Sequence, residues 1–220
     1  MYNLLTLREW QLIIKPIEEL IVQASIPDGS SRNEKFDFSI GMGHLYITLS
    51  KDKQEVIQIG THDQLVLCAM QLWTDRRRRG KDKKNRMSIM DTLKKNGINN
   101  VILTPDKYFT DLCNYKFVIS PEGNGIDCHR HYEALLSGCI PIIEDNEHMR
   151  RKFKNMPILY TNDYSEINEK YLEEKYEEMI DKEYDFTKLF ITNFDEKNKK
   201  MIKEFSNFWC LKHQKKKFYL

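Results

Sequence analysis

No stretch of this 220-residue chain stays apolar over the roughly 20 residues that a membrane-spanning helix needs. Its greasiest segment, residues 4–26, is interrupted by Arg8, Glu9, Lys15, Glu18 and Glu19. Those charges also deny it the unbroken apolar stretch of a signal peptide. The expectation is a chain with no membrane span and a cytoplasmic location. Cysteine is scarce and unpaired in pattern: Cys68, Cys113, Cys128, Cys139 and Cys210 are odd in number and never stand as C-x-x-C. That number and spacing argue against a disulfide framework and a zinc knuckle, so a reduced compartment and no metal site are expected. Glycine (9) and proline (6) are few, and neither a low-complexity linker nor an internal repeat is present. Aromatic residues reach 11%, too many for a disordered chain.

The chain also lacks a strong excess of either charge, with a net value of +2. This near-balance is made of separated blocks. Residues 76–86 are almost wholly basic (Arg76, Arg77, Arg78, Arg79, Lys81, Lys83, Lys84, Arg86), and residues 166–185 are dominated by Glu and Asp. Segregated charge points to a local anion site rather than to a uniformly basic protein. The basic run reads in three ways: a solvated surface, a phosphate-contacting loop, or a patch for RNA or DNA phosphates. It carries no interleaved aromatics for base stacking, which makes nucleic acid the weakest of the three.

From about residue 64 onward, short apolar runs alternate with helical patterns. Strands are predicted at residues 65–70, 101–103, 117–119, 140–143 and 158–160. Helices are predicted over 87–96, 108–112, 128–137, 148–153, 165–180 and 197–209. Asn96-Gly97 and Gly138 stand where helix ends are expected. Such alternation predicts an α/β fold, a Rossmann-like parallel sheet with helices on both faces. Right-handed crossovers place all strand C-terminal ends on one edge, where open α/β sheets bind ligands. The basic loop and the loop after residue 119 both leave that edge. The first 63 residues read differently: one or two helices, then β-like pieces at 36–40, 45–49 and 56–60. They predict a small N-terminal α+β lobe, with residues 64–220 forming a Rossmann-like domain and its C-terminal helix.

Chemistry concentrates in the segment from Tyr115 to Ile143. Ser120-Pro121-Glu122-Gly123-Asn124-Gly125 is a turn of small and polar residues, which lets backbone N–H groups approach a ligand. The following helix offers its N-terminus to a diphosphate. Arg130 adds a charge-assisted donor, and Glu133 can accept from the two hydroxyls of a ribose. Asp127 reads as the helix N-cap. His129 and His131 read first as surface or packing residues, and Arg130 with Glu133 also fits a pair on a helix surface.

Taken together, Ser-Pro, the glycine-containing loop, the Arg-bearing helix start, Glu133-Ala134-Leu135, Gly138-Cys139 and Ile140-Pro141 resemble the donor-binding half of exostosin-like glycosyltransferases of GT-B type. The likeness is sharpest from Lys116 to Ile143 and extends more weakly to Gln64 and to about Ile180. It implies a nucleotide-sugar donor, transfer of the glycosyl group to a glycan or protein acceptor, and no cofactor beyond that donor. It further implies that Glu122 touches the donor sugar and Glu133 the ribose, and that an Arg of the basic loop, Arg79 or Arg86, contacts the diphosphate. Ser120, Gly123, Asn124 and Gly125 complete the donor site. No Asp-x-Asp, the usual metal-holding motif of GT-A enzymes, occurs, which fits metal-independent chemistry with positive charge offsetting the leaving diphosphate.

A general base is expected from the N-terminal lobe, with Asp37, His44, His62 and Asp63 as candidates and His44 and Asp63 foremost. Residues 1–63 are too few for a second Rossmann-like lobe of about 100 residues. A minimal enzyme, a homodimer that completes its site, and a domain that binds donor without turnover all remain open. A nucleic-acid-binding protein using loop 76–86 is the alternative of a different class.

Overall fold

The computed structural model describes residues 2–27, 35–80 and 84–220. The chain opens with β1 (Asn3–Thr6) and α1 (Leu7–Gln11), the latter started by a capping box between Thr6 and Glu9. After an irregular stretch come α2 (Lys51–Val56) and β2 (Gln64–Leu67), then α3 (Arg76–Arg79), α4 (Arg86–Lys95) and α5 (Pro105–Leu112). β3 (Tyr115–Ile119), α6 (His129–Leu136), β4 (Ile140–Glu144), α7 (Glu147–Lys152) and β5 (Leu159–Thr161) follow. α8 (Glu169–Met179), β6 (Glu183–Asp185) and the long α9 (Glu196–Gln214) finish the molecule.

Strands β2, β3, β4 and β5 form a parallel sheet in that spatial order. With its flanking helices this is an α/β architecture compatible with a Rossmann-like arrangement. The strands are short and buried, as parallel strands covered by helices must be. β4 is buried along its whole length, and fully burying each of its isoleucines contributes about 2 kcal/mol. Pro141 is tolerated inside β4 because β5 pairs only from Ile142 onward, so the missing N–H costs no ladder bond. Asn85 caps α4 by accepting from the N–H groups of Met87 and Ser88, and Gly97, at φ +81°, ends it.

Several local expectations give way to tertiary placement. Residues 101–103 form no strand, and Ile102 is 96% exposed; an apolar triplet without a pairing partner does not become a strand. Residues 36–40 are irregular, 45–49 contain a single 3-10 turn (Tyr46–Thr48), and 56–60 complete α2 and its exit. The acidic helix begins only at Glu169, because Asn168 caps it.

The N-terminal segment and the sheet share one hydrophobic core, in which Leu7, Trp10 and Tyr46 belong with Phe117, Leu135 and Ile142. Trp10 stacks on Phe186 at 4.1 Å and donates from Nε1 to the Leu135 carbonyl at 2.7 Å. β1 also pairs antiparallel with β6, so the start of the chain closes on the segment that follows α8. Among the described residues, no helix is long and apolar enough to cross a membrane.

Candidate functional site

Among the described residues the strand order contains no reversal, so the sheet itself opens no switch-point crevice of the kind that α/β folds use for ligands. The cavity forms instead between the C-terminal edge of the sheet, the N-terminal segment and α9. Its foundation is Arg86, the first residue of α4. That guanidinium donates from Nε to the Glu122 carbonyl (2.9 Å), from Nη2 to Pro121 (2.8 Å) and from Nη1 to Gln71 (3.1 Å). Its backbone N–H donates to Asp75 Oδ2 at 2.8 Å. The loop after β2 and the loop after β3 are thereby joined at one edge, as the strand pattern predicts.

Around this junction lies a cavity of about 350 Å³, lined among others by Arg86, Gly123, Asn124, Arg130, Glu133 and His44. The α6 N-terminus opens onto it: Cys128 is the N-cap and supplies no side-chain cap. Arg130 and Glu133 meet at Tyr108 rather than as an ion pair. Arg130 Nη2 donates to the Ala69 carbonyl at 3.0 Å, and its guanidinium lies 5.6 Å from the centre of the Tyr108 ring. Its Nε is buried with no hydrogen-bond partner among the described residues. Glu133, buried, accepts from the Tyr108 hydroxyl at 3.1 Å. Burial works against charge on Arg130, yet Tyr108 and Glu133 hold its pKa above the ordinary value. Burial pushes the Cys128 thiol up to about 11, so no thiolate is available there at neutral pH.

The far wall comes from distant sequence. His44 stacks on His213 at 4.6 Å, and His213 on Trp209 at 5.6 Å. Burial, and then the neighbouring His213 and His129, lower the pKa of His44. Trp209 Nε1 donates to the Ser25 carbonyl at 3.1 Å and fastens α9 to the N-terminal segment. A second, more apolar chamber of about 280 Å³ adjoins the first and shares His44, His129, Arg130 and Glu133 with it; Leu45, Leu103, Pro105 and Phe109 line its far side.

Other candidate residues lie outside this cavity. Arg79 bonds Glu144 at 2.7 Å and also Glu122, while Arg78 pairs with Glu122. Glu122 donates its backbone N–H to Glu144 Oε2 at 2.8 Å. Burial would raise the Glu122 pKa, but Arg79 and Arg78 hold the carboxyl below the usual carboxylate range. Arg79 and Glu122 thus neutralise each other, and neither lines the cavity. Ser120 is fully buried, and Gly125 serves the turn, its carbonyl accepting from the Gly123 N–H at 3.0 Å.

Asp63 is exposed just before β2, at the N-terminal end of the sheet and therefore opposite the cavity. Asp37 is exposed, and His62 is buried with Nε2 on the Ser137 carbonyl at 2.8 Å. Asp127 does not cap α6. It is buried, accepts from the Tyr132 hydroxyl at 2.8 Å and pairs with Lys152 at 3.1 Å. Lys81, Asp82 and Lys83 of the basic run lie outside the described residues.

Gln23, Ser25, Gln71, Tyr108, Trp209 and His213 complete the two chambers and were not singled out by any local motif. Polar residues in an irregular segment carry no signal of the place to which they fold. Only His44, in its glycine-flanked loop, stands out in the sequence among the residues of the far wall.

No protein-family model matches the chain, and no curated protein matches it either.

Proposed function

We propose that this cavity binds a nucleotide sugar and that the protein transfers its glycosyl group to an acceptor, with a GT-B-type donor site. The observation that carries this reading is the convergence on one cavity of the α6 N-terminus, the guanidiniums of Arg86 and Arg130, and the buried carboxylate of Glu133. Amide donors and two fixed cations suit a diphosphate. Arg130 Nε, buried and without a hydrogen-bond partner among the described residues, is a donor of the kind that a ligand oxygen satisfies. Glu133, held by Tyr108, suits a vicinal diol. The Gly123–Asn124 backbone supplies the close approach. Positive charge fixed in place stabilises the departing nucleoside diphosphate without reorganisation.

The same geometry disfavours the nucleic-acid reading. Arg78 and Arg79 are committed to Glu122 and Glu144 and present no charge to a phosphate backbone. Arg76 lies against the Trp73 ring, 5.1 Å from its centre.

The test is a thermal-shift screen of the full chain against nucleoside mono- and diphosphates and their sugars. Binding raises apparent stability by mass action, about 2.7 kcal/mol at a hundredfold excess over Kd. A shift with a nucleoside diphosphate that Glu133→Gln removes supports the reading. The absence of a shift with every donor overturns it.

A further inference from the structure

Three side chains at the inner wall of the cavity, Gln23, Ser25 and His129, form a chain of hydrogen bonds whose direction is set at both ends by the backbone. The His44 N–H donates to Gln23 Oε1 at 2.9 Å. A backbone N–H can only donate, so this oxygen faces His44 and the Gln23 amide nitrogen faces Ser25, donating to its Oγ at 3.1 Å. At the other end, His129 Nδ1 lies 2.7 Å from the Gly41 carbonyl. A carbonyl can only accept, so Nδ1 carries the proton, and neutral His129 is left with a bare lone pair on Nε2. Ser25 Oγ stands 3.3 Å from that nitrogen and is its donor. Ser25 and His129 both line the cavity that holds Arg86, Arg130 and Glu133.

We propose that Ser25 and His129 are the proton relay of this site, with His129 as the terminal base; the proposal rests on the donor reading above. Ser25 lines the cavity, the Gly41 carbonyl fixes the imidazole tautomer with its lone pair at Nε2, and the same carbonyl stabilises the imidazolium as it forms. In the transfer step the acceptor oxygen bonds to the anomeric carbon of the donor sugar as the bond from that carbon to the diphosphate oxygen breaks. The bonding pair leaves on the diphosphate. The acceptor proton passes to Ser25 Oγ while the proton of Ser25 passes to His129 Nε2, so Ser25 ends unchanged and His129 ends as imidazolium. Water in place of the acceptor gives hydrolysis of the donor by the same proton path. The sequence shows none of this, because Ser25 and His129 are far apart in the chain and Gly41 lies in a third segment.

The experiment uses the full chain with a panel of UDP-, GDP- and ADP-hexoses as probes, reading melting temperature for binding and nucleoside diphosphate release for turnover. His129→Asn keeps a side-chain N–H for the Gly41 carbonyl and removes the base. It is expected to bind donor within about threefold of wild type while release falls roughly 10²-fold or more. Ser25→Ala is expected to slow release about tenfold or more with binding kept. His129→Ala, which leaves space at the base, is expected to regain release in proportion to added imidazole, a response that a purely structural histidine would not give. A His129→Asn rate near wild type, a His129→Ala rate that imidazole does not raise, a donor bound but not turned over by wild type, or a glycosyl adduct on Ser25 detected by mass spectrometry each overturns the relay. If no donor shifts the wild-type melting temperature, the donor reading itself falls.

Discussion

Gly123 and Arg86 pack so closely that a Cβ on residue 123 would stand 3.0 Å from Arg86 Nη2 and 3.5 Å from Cys128 Sγ. Arg86 has little room to yield, because the carbonyls of Gln71, Pro121 and Glu122 hold its guanidinium in place. The glycine is therefore required by proximity rather than by a left-handed backbone. Gly123→Ala is expected to cost about 1–2 kcal/mol through overpacking, slightly offset by the reduced freedom of the unfolded chain. Urea denaturation checks it: the midpoint falls while the slope stays constant.

Tyr108→Phe removes the hydroxyl that donates to Glu133 Oε2 and leaves a buried carboxylate oxygen one donor short. A loss of about 1–3 kcal/mol is expected. Because the same bond orients Glu133 in the cavity, calorimetry with the nucleotide found by the thermal-shift screen is expected to show about tenfold weaker binding for this variant.

Arg79→Met tests whether the basic run serves the fold or the ligand. Its guanidinium bridges Glu122 and Glu144, and their side chains are 13% and 10% exposed. Removing it leaves two carboxylates adjacent, at an expected cost of about 3 kcal/mol. Donor affinity, measured well below the lowered melting temperature, is expected to stay within about twofold of wild type. A large loss of affinity with unchanged stability would place Arg79 on the ligand instead.

Lys15 is 1% exposed and pairs with no carboxylate among the described residues; its ammonium donates to the Trp10 carbonyl at 3.0 Å and lies 4.3 Å from the centre of the Trp10 ring. Burial lowers its pKa from the ordinary 10.5 to about 7. Between these values the unfolded chain binds more protons than the folded one, so this group makes stability rise with pH across the window from about 7 to 10.5. Below that window the penalty is fully present. Lys15→Met is expected to raise stability by roughly 1–3 kcal/mol at pH 7 and to flatten its rise between pH 7 and pH 10 in urea titrations.

Much of the scaffold is legible in the linear chain. The apolar cores of β3 and β4, the glycine-terminated α6 between them, and the Asn96-Gly97 stop of α4 follow from residue chemistry that acts within a few positions. The joining of two loops at one sheet edge follows as well, since parallel strands linked by crossovers leave no other arrangement. That is why Arg86, Gly123, Asn124, Arg130 and Glu133 are recognisable together in the linear chain.

What tertiary structure alone decided is which polar groups remain for a ligand. Arg79 and Glu122 resemble site residues by position, yet each is spent on an oppositely charged neighbour from another element, a pairing that depends on Glu144 more than twenty residues away. The triplet 101–103 looks like a strand and lacks only a partner. Ser25, His129 and Gly41 form a connected relay only because Trp209 binds the Ser25 carbonyl and the Tyr219 hydroxyl binds the Leu20 carbonyl at 2.7 Å, drawing the N-terminal segment and the end of the chain together over the sheet edge. Local sequence sets backbone preference over a few residues; burial and pairing across long separations determine which charges are cancelled and which are left to act.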